Sequence, residues 1–246
     1  MAKILVLAEK PSVGRELARV LGCRQGGNGF LSGSQYIVTW ALGHLVELAE
    51  PEAYGEQYKT WSMDTLPMLP EKMELKVIPE TSKQYSIVKK LLHNPEVGSL
   101  VIATDAGREG ELVARWILEK AGFHNPIKRL WISSQTDRAI REGFAKLKDG
   151  KEYLPLYMSA QSRAEADWLV GLNVTRALTC KFNAQLSAGR VQTPTLALLV
   201  QREEEIRRFV PKDYYTVRAD LGEFFVTWHD EKKQTAISEK ARAKAI

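Results

Sequence analysis

Acidic residues follow two apolar runs of this 246-residue chain, at the points where the runs end. Glu9 follows residues 3–8, Asp105 follows residues 100–104, and Glu109 comes four residues after Asp105. Clustered carboxylates repel one another unless a cation lies among them. An all-oxygen site of this kind suits Mg²⁺, which keeps several waters and bridges to phosphate. The pattern therefore predicts a magnesium site that handles a phosphate group.

Strands that alternate with helices are predicted to position these acids. Each apolar run is followed by a turn and then by apolar residues at helical spacing, an order typical of a parallel α/β sheet. Parallel strands end at one edge of the sheet, where ligands bind, so neighbouring strands would bring Glu9, Asp105 and Glu109 together. The predicted strands cover residues 3–8, 100–104 and 127–132, and the predicted helices cover residues 11–21, 109–121 and 137–147.

A purely structural role for the same acids is the alternative. Acidic residues favour the first turn of a helix, so Glu109 and Glu111 can simply stabilise a helix, with Asp105 as a cap-like residue before it. The matching positions of Glu9 and Asp105 at two strand ends favour the metal site.

Several other kinds of site do not fit the sequence. No GxxxxGK[ST] segment is present and no GxGxxG follows the first strand, which excludes the common nucleotide-binding loops. Two cysteines and four scattered histidines give no disulfide framework and no zinc-ligand spacing. No apolar run reaches the length of a membrane span, so we expect a cytoplasmic protein with no membrane contact.

The second half of the chain predicts helices rather than strands. Residues 154–182 predict one long helix, and residues 191–208 predict a second, with partly inward apolar residues at 191, 196, 198, 199 and 206. The small residues between them let a backbone approach a ligand, and Arg190, Gln192 and Thr193 at a helix start can donate to an anion. An ordinary helix start with Pro194 in its first turn explains the same residues equally well.

Positive charge is concentrated in one segment. The net charge is +5, and residues 115–148 hold eight Lys or Arg against three acids. Such a segment is either a solvated helix face or a surface for nucleic acid, since neutralisation of phosphates drives most non-specific binding.

Four ordered motifs resemble the type IA DNA topoisomerases, and among them the bacterial topoisomerase III group. They are AEKPS at 8–12, TDAGREGE at 104–111, RAEADW at 163–168 and SAGRVQTP at 187–194. The resemblance implies an α/β fold with a Rossmann-like Toprim sheet, followed by a mainly helical portion and the start of a β-rich domain. The implied domains are a Toprim domain at residues 1–152, a helical DNA-binding portion at residues 153–212 and a further domain that begins at residues 213–246.

The resemblance also implies residue roles. Members of this family break, pass and reseal single DNA strands through a tyrosyl-phosphate intermediate. Glu9 would be the catalytic acid/base and a metal ligand, and Lys10 would supply positive charge to the phosphate. Asp105 and Glu109 match the first and last acids of the family's DxDxE pattern. Gly107 stands where the middle acid is expected, which leaves the number of metal ions open.

Single-stranded DNA is the partner that the resemblance implies. The segment at 187–192 matches a family DNA-contacting loop, and Trp168 and Arg176 lie within about a quarter turn of each other on the long helix, a pairing suited to base stacking. Trp61 is a further aromatic candidate. The expected DNA-binding residues are Trp61, Trp168, Arg176, Ser187, Ala188, Gly189, Arg190, Val191 and Gln192.

The family nucleophile lies in a Tyr-Pro-Arg-Thr-like segment, and none of the eight tyrosines has that context. We therefore expect the N-terminal part of a longer, monomeric enzyme, inactive without its remaining C-terminal domains. Two alternatives stay open, namely another Toprim enzyme such as a nuclease or primase, and a non-catalytic single-stranded DNA binding module.

Overall fold

The computed structural model describes residues 2–246. The chain forms two compact units, Met1–Arg190 and Val191–Ile246. The strands of the first unit are β1 Lys3–Ala8, β2 Gln25–Gly27, β3 Phe30–Ser32, β4 Tyr36–Trp40, β5 Val46–Leu48, β6 Leu75–Val77, β7 Val97–Ala103, β8 Ile127–Arg129 and β9 Lys148–Asp149. Its helices are α1 Pro11–Val20, α2 Ser82–Leu92, α3 Arg108–Ala121, α4 Asp137–Ala145 and α5 Leu154–Phe182.

The first unit is built on a seven-stranded sheet with the order β2-β3-β4-β1-β7-β8-β9. Strands β4, β1, β7 and β8 run parallel, with β1 between β4 and β7. Strands β2, β3 and β9 pair in the antiparallel direction at the two edges. The α/β fold predicted from the alternating pattern is confirmed, and the strands that end before Glu9 and Asp105 are direct neighbours.

Two apolar cores cover the two faces of this sheet. Leu5 and Leu7 of β1 face a core that includes α2 and α3, whereas Val6 and Ala8 face a core that includes α1 and α4. Successive strand residues point to opposite faces, so burial of both faces explains why β1 reads as a continuous apolar run. This burial fixes the register of β1, and with it the position of Glu9.

The predicted elements match the observed ones with small differences in length. Helix α5 has the predicted bounds, β7 begins three residues earlier than expected, and β8 ends at Arg129 rather than at residue 132. Strands β2 to β6 and β9 and helix α2 were not predicted. Apart from β4, these strands have two or three residues each, too few for an alternating pattern to be recognised.

The second unit contains α6 Gln192–Arg207, the antiparallel strands β10 Arg218–Asp220 and β11 Phe225–Thr227, and α7 Lys240–Ala245. The expectation of partly inward apolar residues on α6 is wrong, because all five are more than half exposed. Residues 196, 198 and 199 are spread around a helix of 3.6 residues per turn, so they form no single apolar stripe. In the portion expected to begin a β-rich domain, Tyr215 and Ile237 also form an isolated bridge.

Within residues 2–246, no helix combines the length and the apolar character that a bilayer crossing requires. The domain boundaries predicted after residues 152 and 212 stay predictions.

Candidate functional site

The carboxyl ends of β1 and β7 bring Glu9 and Asp105 into contact. Ala8 pairs with Ala103 at the ends of these parallel strands. The backbone N–H of Asp105 donates to Oε2 of Glu9 over 2.8 Å. One predicted acid therefore positions the other, and both lie at the sheet edge where ligands of parallel sheets bind.

A buried arginine holds the backbone that carries Asp105. Arg129 Nη1 donates to the carbonyl oxygens of Thr104 (2.8 Å) and Leu130 (2.7 Å), and Nη2 donates to the carbonyl oxygen of Asp105 over 2.7 Å. Burial lowers the pKa of this guanidinium, and Glu111 opposes the shift. An arginine stays charged even so, and its rigid fork keeps the end of β7 in one conformation.

Glu111 is the counter-charge of Arg129. Its Oε2 accepts from Arg129 Nε over 2.8 Å and its Oε1 accepts from Arg115 Nε over 2.9 Å. The side chains of Glu111 and Arg129 are both 0% exposed. Arg115 also donates to the carbonyl oxygen of Gly150 over 2.6 Å. Glu111 thus links helix α3 to strand β8 from the interior.

The start of α3 packs tightly behind Asp105. Thr104 Oγ1 donates to the carbonyl oxygen of Gly110 over 2.7 Å. A Cβ at Gly110 would overlap the backbone of Asp105, whereas a Cβ at Gly107 would meet no atom within 4 Å. The two glycines therefore differ in function: Gly110 allows the close approach of α3 to the site, and Gly107 borders open space.

Glu109 faces a different part of the surface. It lines a groove of about 440 Å³ with His44, Glu47, Trp168 and other residues, whereas Asp105 lines a separate cavity of about 280 Å³ with Leu130 and Ser133 among others. Across residues 2–246, no three His, Cys, Asp or Glu side chains group as a metal site would need. The structure thus pairs Glu9 with Asp105 but does not assemble the predicted trio.

The loop that precedes α6 is tied to α5 by two threonines. Thr175 Oγ1 exchanges hydrogen bonds with the backbone N–H (3.0 Å) and carbonyl (3.2 Å) of Ala188. Thr179, one turn later, does the same with Leu186. Ala188 is consequently buried and Ser187 exposed. In the second unit, Val191 is exposed and Gln192 begins α6.

Arg190 is exposed and paired. Its Nη1 donates to Asp167 Oδ1 over 2.8 Å, and each side chain is 43% exposed. Arg163 Nε lies 3.8 Å from the other oxygen of Asp167. This arginine therefore presents its guanidinium at the surface and holds it next to a carboxylate of α5.

The aromatic candidates pair differently from the expected arrangement. Arg176 lies over the Trp61 ring, with its Cζ 5.1 Å from the ring centroid, rather than beside Trp168. Arg176 is 3% exposed, and its Nη1 donates to the carbonyl oxygen of Tyr58 over 2.7 Å. Trp168 Nε1 donates to the carbonyl oxygen of Ala49 over 3.0 Å. Of the two tryptophan candidates, Trp61, at 45% exposure, presents the larger ring surface to solvent.

The residues that support the site from the interior of the protein were not predicted from the sequence. Arg129 was counted as part of a basic segment, although a charged residue next to the apolar positions of a predicted strand signals an internal partner. Thr175 and Thr179 carry the i, i+4 spacing that places them on one helix face. Asp167, the partner of Arg190, lies in the RAEADW motif at 163–168, but the motif alone did not indicate this pair.

Comparison with known proteins gives matches along the whole chain. Residues 4–135 match the family described as Toprim domain, and residues 151–246 match the family described as DNA topoisomerase. The chain is 63% identical to DNA topoisomerase 3 of Bacillus subtilis over 236 residues and 61% identical to DNA topoisomerase 3 of Shouchella clausii over 248 residues. These alignments cover 96% and 100% of this chain but 32% and 34% of the relatives, so the chain spans about a third of their length.

A solved structure, that of full-length topoisomerase I from Thermotoga maritima, matches this chain with a TM-score of 0.67. The match covers 98% of this chain and 37% of the Thermotoga chain. At 23% sequence identity this likeness supports the fold alone. The resemblance to the topoisomerase III group, predicted from four motifs, is confirmed by the relatives of 61–63% identity. Since the Toprim match extends over more than half of the sequence, the chain belongs to the Toprim domain family.

Proposed function

We propose that this chain is the part of a type IA DNA topoisomerase that binds the metal ion and the scissile phosphate of single-stranded DNA. The observation that carries the proposal is the 2.8 Å hydrogen bond from Asp105 N–H to Glu9 at the ends of two neighbouring parallel strands. The relatives are named DNA topoisomerase 3, and the reaction proposed on that likeness breaks, passes and reseals single strands.

Magnesium fits the donor set at this edge. Glu9 and Asp105 offer carboxylate oxygens, and an ion that keeps several waters needs few protein ligands. Glu9 and Asp105 would hold the ion, whereas Glu109, the third predicted ligand, lines a separate groove. When bound, Mg²⁺ would neutralise charge on the phosphodiester. Gly107 supplies no carboxylate, which favours one tightly held ion over two.

Glu9 and Lys10 have separate tasks in this proposal. The Asp105 N–H fixes the carboxylate of Glu9, which can then move a proton at the oxygen that leaves or attacks the phosphorus. Lys10 follows at the same strand end and is exposed, so its ammonium group is available to stabilise negative charge on the phosphate.

Arg190 is proposed as a contact to the DNA backbone. Its pair with Asp167 is nearly half exposed, and such surface pairs contribute at most about 1 kcal/mol. A phosphate, which accepts a bidentate pair of hydrogen bonds, can therefore replace Asp167 at small cost. Trp61 offers the exposed ring for base stacking. Trp168 and Arg176 would support it by joining helix α5 to the 49–61 segment.

To hold a broken DNA strand, the reaction needs a nucleophile that the motifs of this chain do not provide. None of the eight tyrosines lies in a Tyr-Pro-Arg-Thr-like segment, and a broken strand must be held as a covalent ester if its energy is to be kept. We propose that the longer protein supplies this tyrosine, since the relatives are about three times the length of this chain.

The experiment measures binding of a fluorescein-labelled oligothymidylate to residues 1–246 by anisotropy, with and without Mg²⁺. We expect Mg²⁺ to strengthen binding by the wild type and to have no effect on Asp105→Asn. Arg190→Ala should weaken binding about tenfold. The control is Lys3→Ala, whose lysine also pairs with an acid, Glu96, but lies at the opposite end of β1. A Mg²⁺ response that survives Asp105→Asn would refute the site assignment.

A parallel assay traps products on end-labelled single-stranded DNA with denaturant. We expect no band linked to protein. A covalent band that disappears when one of the eight tyrosines is changed to Phe would contradict the assignment of the nucleophile to the longer protein. Free cleavage products without linked protein would support a Toprim nuclease instead.

A further inference from the structure

A second cavity lies next to the one that contains Asp105. It has a volume of about 420 Å³ and lies between the loop after β8 and the end of α4. Ile132, Ser133 and Ser134 line both this cavity and the cavity of Asp105. The remaining lining residues are Trp131, Ala139, Glu142, Gly143, Lys146 and Lys148. A chain-like ligand that reaches Asp105 can therefore continue into the second cavity over the 132–134 segment.

The charge of this cavity is positive. Lys146 and Lys148 are exposed, and within residues 2–246 neither ammonium group lies within ion-pair distance of a carboxylate. The single acid of the lining, Glu142, accepts from Arg138 Nε over 2.7 Å and is thereby neutralised. Ser133 and Ser134 add two hydroxyl groups, of which that of Ser134 exchanges hydrogen bonds of 3.4 Å with Thr136. Ammonium and hydroxyl groups are those that proteins use to bind phosphate oxygens.

Most other basic residues of segment 115–148 are already engaged. Arg115 and Arg129 pair with Glu111 in the interior, and Arg138 and Arg141 pair with acids on α4. Among the residues that the structure describes, four lysines of the segment have no carboxylate partner; Lys146 and Lys148 line the cavity, whereas Lys120 and Lys128 lie elsewhere.

Trp131 gives the cavity an aromatic wall. Its ring stacks on Tyr153, with 4.9 Å between the centroids and 28° between the planes, and the Arg129 guanidinium lies 5.0 Å from its centroid. The side chain stays 41% exposed despite these contacts. An exposed ring whose position is fixed by its neighbours can act as a stacking platform for a base.

We propose that this cavity binds the part of a single DNA strand that adjoins the scissile phosphate, with a base stacked on Trp131 and phosphates on Lys146 and Lys148. The inference rests on the proposed function, because it assumes that a phosphodiester occupies the Glu9–Asp105 edge. It adds a contact surface on the α/β unit, separate from Arg190 and from helix α5, which carries Trp168 and Arg176.

The test measures affinity of residues 1–246 for labelled oligothymidylate over a range of salt concentrations. Trp131→Leu should weaken binding about tenfold, because stacking of one base on an aromatic ring strengthens affinity by about that factor. Trp131→Phe should retain most of the affinity, because a ring remains. The double change Lys146→Gln with Lys148→Gln should make the slope of log K against log salt less negative by about 1.4, at about 0.7 for each phosphate contact to a single strand.

The matched control is Lys89→Gln with Lys90→Gln, two exposed lysines of α2 that line neither cavity. Equal effects of the two lysine pairs, or an unchanged affinity in Trp131→Leu, would overturn the proposal, as would a wild type that binds no single strand at low salt. Urea denaturation midpoints close to the wild-type value show that each variant is folded. If Trp131→Leu does not fold, the affinity of Trp131→Phe and the salt dependence of the lysine variants test the proposal.

A crosslink gives a second measurement. An oligonucleotide with 5-iodouracil should crosslink at Trp131 on irradiation, and mass spectrometry of the peptides locates the bond. Crosslinks found only elsewhere would overturn the proposal.

Failure of this inference differs from failure of the proposed function. If the cavity variants bind like the control while Mg²⁺ still strengthens binding in an Asp105-dependent way, the cavity proposal is wrong and the proposed function stands. If the cavity variants weaken binding but Mg²⁺ has no Asp105-dependent effect, the proposed function is wrong at the metal site.

Discussion

Arg129 and Glu111 form an ion pair of 2.8 Å with both side chains fully buried. The pair connects strand β8 with helix α3. Arg129 also donates hydrogen bonds to the carbonyl oxygens of Thr104 and Asp105, which fixes their positions. Asp105 in turn holds Glu9 through its N–H. Glu9 and Asp105, two of the three predicted metal ligands, therefore depend on an ion pair that contacts neither of their side chains.

The first prediction concerns this buried pair. Arg129→Met or Glu111→Gln should lower the free energy of unfolding by about 3–5 kcal/mol, because each leaves a buried charge without its partner. The double variant should be less destabilised than the sum of the two. Urea denaturation followed by circular dichroism measures these values.

The control pair is Arg138 with Glu142, which is exposed and spaced i, i+4 on α4. Breaking an exposed pair should cost less than about 1 kcal/mol. Equal losses at the buried and exposed pairs would mean that the interior pair does not constrain the fold.

The second prediction separates the two glycines at the start of α3. Gly110→Ala should lower the free energy of unfolding by about 1–3 kcal/mol, since its methyl group would overlap the Asp105 backbone. It should also weaken Mn²⁺ binding, because Asp105 must move. Gly107→Ala, which meets open space, should change both quantities little. The idea fails if Gly110→Ala binds Mn²⁺ as the wild type does.

The third prediction tests the position at which the DxDxE pattern is interrupted. Gly107 has an extended backbone that any residue can adopt, and its surroundings have space for a side chain. Gly107→Asp should therefore fold normally and bind Mn²⁺ more tightly, by adding a carboxylate near Asp105. Gly107→Asn, of the same shape but uncharged, is the control. Identical Mn²⁺ affinities for the two variants would show that residue 107 does not reach the ion.

The fourth prediction concerns the thiol of Cys23. Burial raises the pKa of this thiol above its ordinary value, so less thiolate is present in the folded chain at pH 8. Iodoacetamide should modify Cys23 slowly in the native state and quickly in urea, as followed by mass spectrometry in a Cys180→Ser background. Because the folded state keeps the proton to higher pH, the contribution of Cys23 to stability should decline as pH rises above the ordinary thiol range. Equal alkylation rates in buffer and urea would contradict this assignment.

Sequence patterns were sufficient for the elements that carry long apolar signals. The strand before Glu9, the helix at residues 154–182 and the adjacency of Glu9 with Asp105 followed from apolar runs and from the geometry of parallel sheets. The edge strands could not be predicted because two or three residues show no periodicity. The interior position of Arg129 could not be predicted because a count of charges treats every arginine as exposed. Its partner Glu111 also lies 18 residues away in sequence.

The DNA-binding residues illustrate a further limit. Helical spacing correctly places Trp168 and Arg176 on α5, yet their partners come from the 49–61 segment, which has no regular pattern. Contacts of this kind depend on how an irregular segment folds against the helix, and residue spacing along one element does not encode them.

The most direct measurement is a Mn²⁺ titration of residues 1–246, with free Mn²⁺ followed by electron paramagnetic resonance. The wild type and the surface variant Glu80→Gln should bind one ion with similar affinity, and Asp105→Asn and Glu9→Gln should each bind at least about tenfold more weakly, because each loses one of few carboxylate ligands. Equal Mn²⁺ binding by all four proteins would contradict the assignment of the Glu9–Asp105 edge as the metal and phosphate site.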